Sequence, residues 1–160
     1  MIYLGIDPGT RRIGYGIVQC EPDNSNAVKF ITAGILKIES SDDASALVET
    51  KREISLLIEK YKPEAIAIEK LFFVNNQKTG IAVAQARGVA LLACRECGIP
   101  IREYTPNEVK LGVTGYGHAD KKAVLKMVRL ILGKHDLAVI DDASDALAIA
   151  ILASNDRRAY

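Results

Sequence analysis

The sequence predicts an α/β fold in which a mixed sheet of five strands, three antiparallel and two parallel additions, is flanked by helices. Three observations predict it. The first 38 residues hold three β-like runs separated by turn clusters. Two later apolar runs each follow a long segment with helical spacing. The length of 160 residues and the hydrophobic content of 49% suit one domain, 1–160.

The first strands are predicted from alternation and turn residues. Ile2–Asp7 alternates and is rich in β-formers, and Asp-Pro-Gly-Thr then forms a tight turn. Arg12–Cys20 alternates again and should return as the antiparallel partner. The cluster EPDNSN is typical of a turn, and residues 27–38 supply the third strand.

Helices and buried strands alternate through the middle of the chain. Residues 40–43 should cap a helix that ends before Pro63. The run AIAIE at 65–69 is typical of a buried strand. A second long helix, about 77–97, leads to the last strand at 100–104.

Three further helices are expected after the last strand. A short one opens at 106–111, and the glycine-rich segment 112–117 should form a flexible loop. Helices near 119–132 and 141–154 complete the chain. Ligands of such sheets bind beyond the strand ends, where loops and helix N-termini converge.

Composition excludes several classes of protein. No apolar run reaches the ~18 residues of a membrane helix, and Asp7 interrupts the apolar stretch that a secretory signal needs. We therefore expect a cytoplasmic protein. The net charge of +1 excludes a strongly basic protein but not a local basic face. Cys94-x-x-Cys97 lacks a second pair of zinc ligands and is interpreted as inert helix thiols.

Acidic residues end two predicted strands and open the last helix. Asp7 and Glu69 close hydrophobic runs, and Asp142 and Asp145 share one helix face. Gathering buried like charges is costly, and a hard divalent cation removes that cost. Carboxylates and water are the ligands that Mg²⁺ and Mn²⁺ prefer. The pattern predicts a Mg²⁺ site, with two ions and Mn²⁺ as a substitute, that activates water against a phosphodiester.

Each acid also has an ordinary structural explanation. Asp142 or Asp145 could favour a helix N-terminus, and Asp7 could be a turn residue. Glu69 is hardest to explain in this way, because it closes a run that is otherwise apolar. Asp141 lies four residues before Asp145, so spacing alone does not choose between Asp141 and Asp142.

Four sequence blocks stand in order along the chain: G-I-D-P-G-T with R-x-G-Y-G at 5–16, A-I-E-x-x-F at 67–72, Q-A-R-G-V-A at 85–90 and D-A-x-D-A-L-A-I-A at 142–150. Together they resemble the RuvC family of bacterial Holliday-junction resolvases. The resemblance implies an RNase H-like fold and a homodimeric, metal-dependent endodeoxyribonuclease. Such an enzyme resolves four-way junctions by paired nicks in opposing strands, leaving 5′-phosphates. The resemblance also implies association with the branch-migration proteins RuvA and RuvB.

The resemblance assigns roles to individual residues. It implies that the catalytic and metal-binding acids are Asp7, Glu69, Asp142 and Asp145. It favours Asp142 over Asp141, although some members carry His at that position.

The same resemblance implies a DNA-binding role for three residues, Phe72, Lys110 and Lys121. Phe72 would stack on a base near the cut, with a core phenylalanine as the alternative. Lys122, Lys126 and Arg129 share a helix face. Whether that face contacts phosphates or is only solvated stays open.

The helix predicted at 77–97 is apolar nearly all round. A helix of this kind is buried on more than one face. One face can cover the sheet and the other can meet a two-fold partner. The alternative is a fully internal helix.

Three other functions fit parts of the sequence. YqgF-type relatives linked to ribosomal RNA processing share the opening motif but tend to be shorter and to lack the second and third blocks. The actin and sugar-kinase ATPases need two domains, and 160 residues have room for one. A binding module without catalysis is disfavoured because all four acids are present.

Overall fold

The computed structural model describes residues 1–21, 27–71 and 77–156, with the side chains of 77–79 left out of the description. A five-stranded sheet has the order β3–β2–β1–β4–β5. Its strands are β1 (Ile2–Asp7), β2 (Arg12–Cys20), β3 (Val28–Lys37), β4 (Ala65–Glu69) and β5 (Ile101–Tyr104). β1, β2 and β3 pair antiparallel, and β4 and β5 add in parallel. The predicted mixed sheet is confirmed.

Five helices accompany the sheet in these ranges. They are α1 (Asp43–Tyr61), α2 (Gln77–Glu96), α3 (Pro106–Thr114), α4 (Lys121–Ile131) and α5 (Asp141–Asn155). The prediction of a flexible loop over 112–117 is wrong in its first half, because α3 continues to Thr114. A capping box between Thr105 and Glu108 starts this helix, and the left-handed Gly115 ends it.

The two faces of the sheet carry separate cores. Because side chains alternate along a strand, Leu4 and Ile6 point to one face while Tyr3 points to the other. The first face packs against α1 and α2, and the second against α3, α4 and α5. α5 is buried along most of its length, which explains why its sequence is almost wholly apolar after Asp145.

Glycines let the backbone of α5 lie directly on β1 and β2. A Cβ atom at Gly5 would lie 2.1 Å from the Ala146 carbonyl oxygen, and one at Gly14 would lie 2.1 Å from the Asp142 carbonyl oxygen. These contacts are too close for any side chain. These contacts therefore fix the distance between the first turns of α5 and β1, the strand that ends at Asp7.

Within residues 1–21, 27–71 and 77–156, no helix is long and apolar enough to cross a membrane. The three cysteines are free. Cys94 is buried, and burial raises the pKa of its thiol to about 12. Its thiolate is therefore scarce at neutral pH, which agrees with the interpretation of an inert helix thiol.

Candidate active site

Asp7 and Glu69 lie side by side at the C-terminal ends of two adjacent interior strands, β1 and β4. β1 and β4 run parallel with Ile6 opposite Ile68, and the two acids are the next residues of their strands. Ile6 and Ile68 point to the face of α1 and α2. Alternation therefore directs both carboxylates to the opposite face, towards α5.

Asp142 and Asp145 lie in the first turns of α5. The N-cap position belongs to Ile140, which makes no side-chain hydrogen bond there, so neither acid is the capping residue. Both are half-buried, whereas Asp141 is exposed. The close contact between Gly14 and the Asp142 backbone brings this end of the helix to the strand that pairs with Asp7.

The pKa values show that the four acids form one electrostatic group. Burial raises the pKa of Asp7 to about 7, helped by the negative charges of Glu69, Asp145 and Asp142. Burial likewise raises the pKa of Glu69 to about 7, helped by the charge of Asp145. The structure therefore brings together all four acids that the sequence singles out.

Asp142 and Asp145 each form an ion pair with a basic side chain. Nζ of Lys121 lies 3.0 Å from Oδ2 of Asp145, and Nε of Arg12 donates to Oδ2 of Asp142 over 3.1 Å. The hydrogen bond to Asp145 is the chief reason why the pKa of Lys121 is raised. Among the described side chains, those of residues 1–21, 27–71 and 80–156, no three His, Cys, Asp or Glu groups are close enough together to hold a metal ion.

The chemistry of the acidic group nevertheless fits a hard divalent cation. Carboxylate oxygens are the side-chain ligands that Mg²⁺ prefers. Burial and mutual repulsion raise the pKa values of Asp7 and Glu69, and a nearby cation of high charge relieves both effects. Asp142 and Asp145, which pair with Arg12 and Lys121 in this structure, are the other two carboxylates that could hold such an ion.

The sequence matches a known family along nearly its whole length. The family model for crossover junction endodeoxyribonuclease RuvC covers residues 3–153. The chain belongs to the RuvC family.

Individual RuvC proteins agree with this assignment. The crossover junction endodeoxyribonuclease RuvC of Syntrophomonas wolfei is 47% identical over 152 residues, which cover 94% of this chain and 87% of that protein. The structure of Thermus thermophilus RuvC matches with a TM-score of 0.85 at 31% identity, covering 95% of this chain and 92% of that one. T. thermophilus RuvC in complex with a Holliday junction substrate matches with a TM-score of 0.86 and the same identity and coverage. The RNase H-like fold is thereby confirmed.

The two lysines predicted to bind DNA in this RuvC-family chain lie close enough to Glu69 to act on its charge. Lys110 lies on α3 and Lys121 opens α4. The positive charges of both lower the pKa of Glu69, so both reach the acidic group electrostatically. Phe72, the third predicted contact, lies outside the described residues.

The basic face of α4 divides into two kinds of residue. Lys122 and Lys126 are exposed. Arg129 donates from Nε and Nη2 to the Leu137 carbonyl oxygen, over 3.2 and 2.9 Å. Arg129 therefore ties α4 to the segment before α5, whereas the side chains of Lys122 and Lys126 face solvent.

Two arginines near the acids were not predicted as site residues, although both stand in the blocks that resemble RuvC. Arg12 pairs with Asp142, and Arg87 donates from Nε to the backbone carbonyl of Glu69 over 3.0 Å. The available signal for Arg87 was a charged residue within the apolar run of α2.

The outer face of α2 bears an exposed stripe with a large apolar side chain at each end. Ile81, Gln85, Gly88 and Leu92 are all exposed, at helical spacing of four, three and four residues. Ile81 is 65% exposed and Leu92 50%. The interpretation of a fully internal helix is therefore wrong for α2.

Proposed function

We propose that this chain is a structure-selective endonuclease that resolves four-way DNA junctions in homologous recombination and repair. It makes paired, symmetric nicks in opposing strands and leaves 5′-phosphate ends. The observation that carries this proposal is the group of four coupled acids in a chain of the RuvC family. The T. thermophilus RuvC complex with a Holliday junction supports the same class of substrate.

The four acids are proposed as the catalytic and metal-binding residues: Asp7, Glu69, Asp142 and Asp145. Bound Mg²⁺, two ions per site with Mn²⁺ as a substitute, would supply an activated water and stabilise the leaving oxygen. The carboxylates must be ionised to bind the ions, and Lys121 favours ionisation because its charge lowers the pKa of Asp7 and Glu69. The backbone of α5, seated on Gly5 and Gly14, holds the helix acids at a fixed height above the strands.

Lys110, Lys121 and Phe72 are proposed to bind the junction. The two lysines would contact phosphates near the acids, and binding should weaken steeply with salt through counterion release. Phe72 follows the last residue of β4 by three positions and would stack on a base near the cut. Stacking of this kind accepts any base, because every base has a π-face.

A homodimer joined along the outer stripe of α2 suits the two-fold symmetry of the proposed reaction. The exposed Ile81 and Leu92 would be covered in that dimer. Association with RuvA and RuvB and a cytoplasmic location are proposed from family membership.

Cleavage of a synthetic immobile four-way junction in Mg²⁺, beside a linear duplex of the same sequence, tests the proposed function. The junction carries several candidate sequences, so that a sequence preference is not mistaken for inactivity. We expect paired nicks in the junction alone, and none with Asp7→Asn. A folded dimer that binds the junction tightly but never cuts it contradicts the proposal.

Substitutions separate chemistry from binding. Glu69→Gln and Asp145→Asn should abolish cutting and leave junction binding largely intact, because the ligands of the ions are lost but the phosphate contacts remain. Phe72→Ala should lower cleavage more than binding. If Phe72→Ala unfolds the protein instead, the core interpretation of Phe72 holds.

A further inference from the structure

Arg87 lies in the block Q-A-R-G-V-A of α2. The proposed function assigns no role to any residue of this block. Its side chain is only 17% exposed. Nε donates to the backbone carbonyl oxygen of Glu69 over 3.0 Å. Nη2 donates to the carboxylate of Glu103 on β5. One guanidinium therefore joins α2 to the ends of two adjacent strands.

Arg87 reaches Glu69 from the face of the sheet opposite to the acidic group. Ile68 pairs in register with Glu103, so their side chains share a face, and Ile68 packs in the core under α1 and α2. The Glu69 side chain alternates to the other face, where the charge of Asp145 acts on it. The guanidinium thus contacts the back of the peptide that carries the carboxylate.

The Glu69 carbonyl lies where a strand ladder ends. The N–H of Lys70 donates to the Tyr104 carbonyl of β5 over 2.7 Å. Because the C=O and N–H of one peptide point in opposite directions, the Glu69 carbonyl points away from β5, towards β1. Pairing of β1 with β4 ends one residue earlier, at Ile6 and Ile68. Arg87 supplies this carbonyl with a hydrogen bond beyond the end of the ladder.

We propose that Arg87 is a positioning residue that fixes the Glu69 peptide from the back of the sheet, so that the carboxylate faces Asp7 and Asp145. The fork of the guanidinium suits this task, since it donates to the carbonyl and to Glu103 at once in a rigid geometry. This role rests on the proposed function, in which Glu69 binds Mg²⁺. Loss of a group that orients a metal ligand in this way typically lowers metal affinity or activity by about 10–100-fold.

Arg87→Met tests the role, because it keeps much of the buried stem and removes every donor. The first measurement is the Mg²⁺ concentration that half-saturates the thermal stabilisation of the DNA-free protein. The second is kcat and KM for junction cleavage, together with junction binding in EDTA. Arg95→Met, which removes an exposed arginine from the last turn of the same helix, is the matched control.

We expect Arg87→Met to raise the Mg²⁺ midpoint and lower kcat, each by about 10–100-fold. KM and binding in EDTA should stay as in the wild type, which a general loss of packing would not produce. Glu103→Gln keeps an acceptor for the guanidinium and should show a smaller effect in the same direction.

The inference is overturned if the wild type binds Mg²⁺ and cuts while Arg87→Met has the same midpoint and kcat as Arg95→Met. If the wild type neither binds Mg²⁺ nor cuts any junction, the proposed function fails and the role of Arg87 with it. Should Arg87→Met not fold, Arg87→Lys takes its place. An intermediate loss in both measurements then supports the role, and wild-type values overturn it.

Discussion

The ammonium nitrogen of Lys121 lies 3.0 Å from Oδ2 of Asp145, which joins the first turn of α4 to the first turns of α5. This positive charge lowers the pKa of both Asp7 and Glu69, against the opposing effects of burial and repulsion. Lys121 is thus a countercharge of the acidic group as well as a proposed phosphate contact.

Lys121→Met should therefore make cleavage more sensitive to acid. Without the countercharge the pKa values of Asp7 and Glu69 rise further, so protons compete better with Mg²⁺ for the carboxylates. We expect the rate to fall more at about pH 6 than at about pH 8, measured as a pH–rate profile at saturating junction. Lys122→Met, on the exposed neighbour, is the control. An equal loss at every pH would mean that Lys121 acts only through phosphate.

The metal-free protein should lose stability as the pH rises through neutrality. The carboxyls of Asp7 and Glu69 have pKa values of about 7 in the folded chain, against usual values of 3.8 and 4.5. Between these values the unfolded chain has released protons that the folded chain keeps, so raising the pH favours unfolding. The stability that protonation provides is complete below about pH 4 and is lost through pH 7.

Thermal unfolding in EDTA at several pH values measures this loss. We expect the melting temperature to fall by several degrees between about pH 5 and pH 8. A loss of 1 kcal/mol in the free energy of unfolding lowers the melting temperature of a protein of this length by about 2–4 °C. Mg²⁺ should reverse the fall at the higher pH. Asp7→Asn should flatten the profile, whereas Asp141→Asn, on the exposed neighbour of the site, should not. A wild-type melting temperature that does not fall over this range would contradict the prediction.

Gly14→Ala should disturb the active site through the backbone. The new Cβ would lie 2.1 Å from the Asp142 carbonyl oxygen, so the first turn of α5 must move away from β2. Overpacking of this kind typically costs about 1–3 kcal/mol. We expect urea unfolding to report that loss, and cleavage to fall even where the protein is folded. Gly117→Ala meets its nearest atom at 3.5 Å and should leave the free energy of unfolding unchanged.

The strands and the acids could be predicted because their signals are local. The run AIAIE predicts β4 with the bounds that the structure has, and Glu69 stands out as the one charge in it. The extent of α3 could not be predicted in the same way. Gly112 is a residue type that disfavours helix interiors, yet it lies inside α3, where a Cβ atom would lie 2.4 Å from Cδ1 of Leu152 on α5.

Contacts between distant segments account for the rest of what the sequence left open. Arg12 and Asp142 are 130 positions apart, and no spacing rule connects them. Arg87 donates to a backbone carbonyl. Every residue has such a carbonyl, so the sequence does not indicate which one Arg87 contacts. The resemblance of whole blocks assigned roles to the acids, but it did not indicate that Arg12 contacts Asp142 or that Arg87 contacts the backbone of Glu69.

Leu92→Glu should dissociate the proposed dimer. Leu92 is half-exposed at the C-terminal end of the stripe on α2, and a buried carboxylate there would face the same charge across a two-fold axis. We expect a monomer in sedimentation velocity, and single unpaired nicks in place of symmetric ones. Leu130→Glu, on an equally exposed leucine of α4, should leave both measurements unchanged. If Leu92→Glu stays dimeric while Leu130→Glu becomes a monomer, the two-fold contact lies on α4, and the stripe on α2 has another partner.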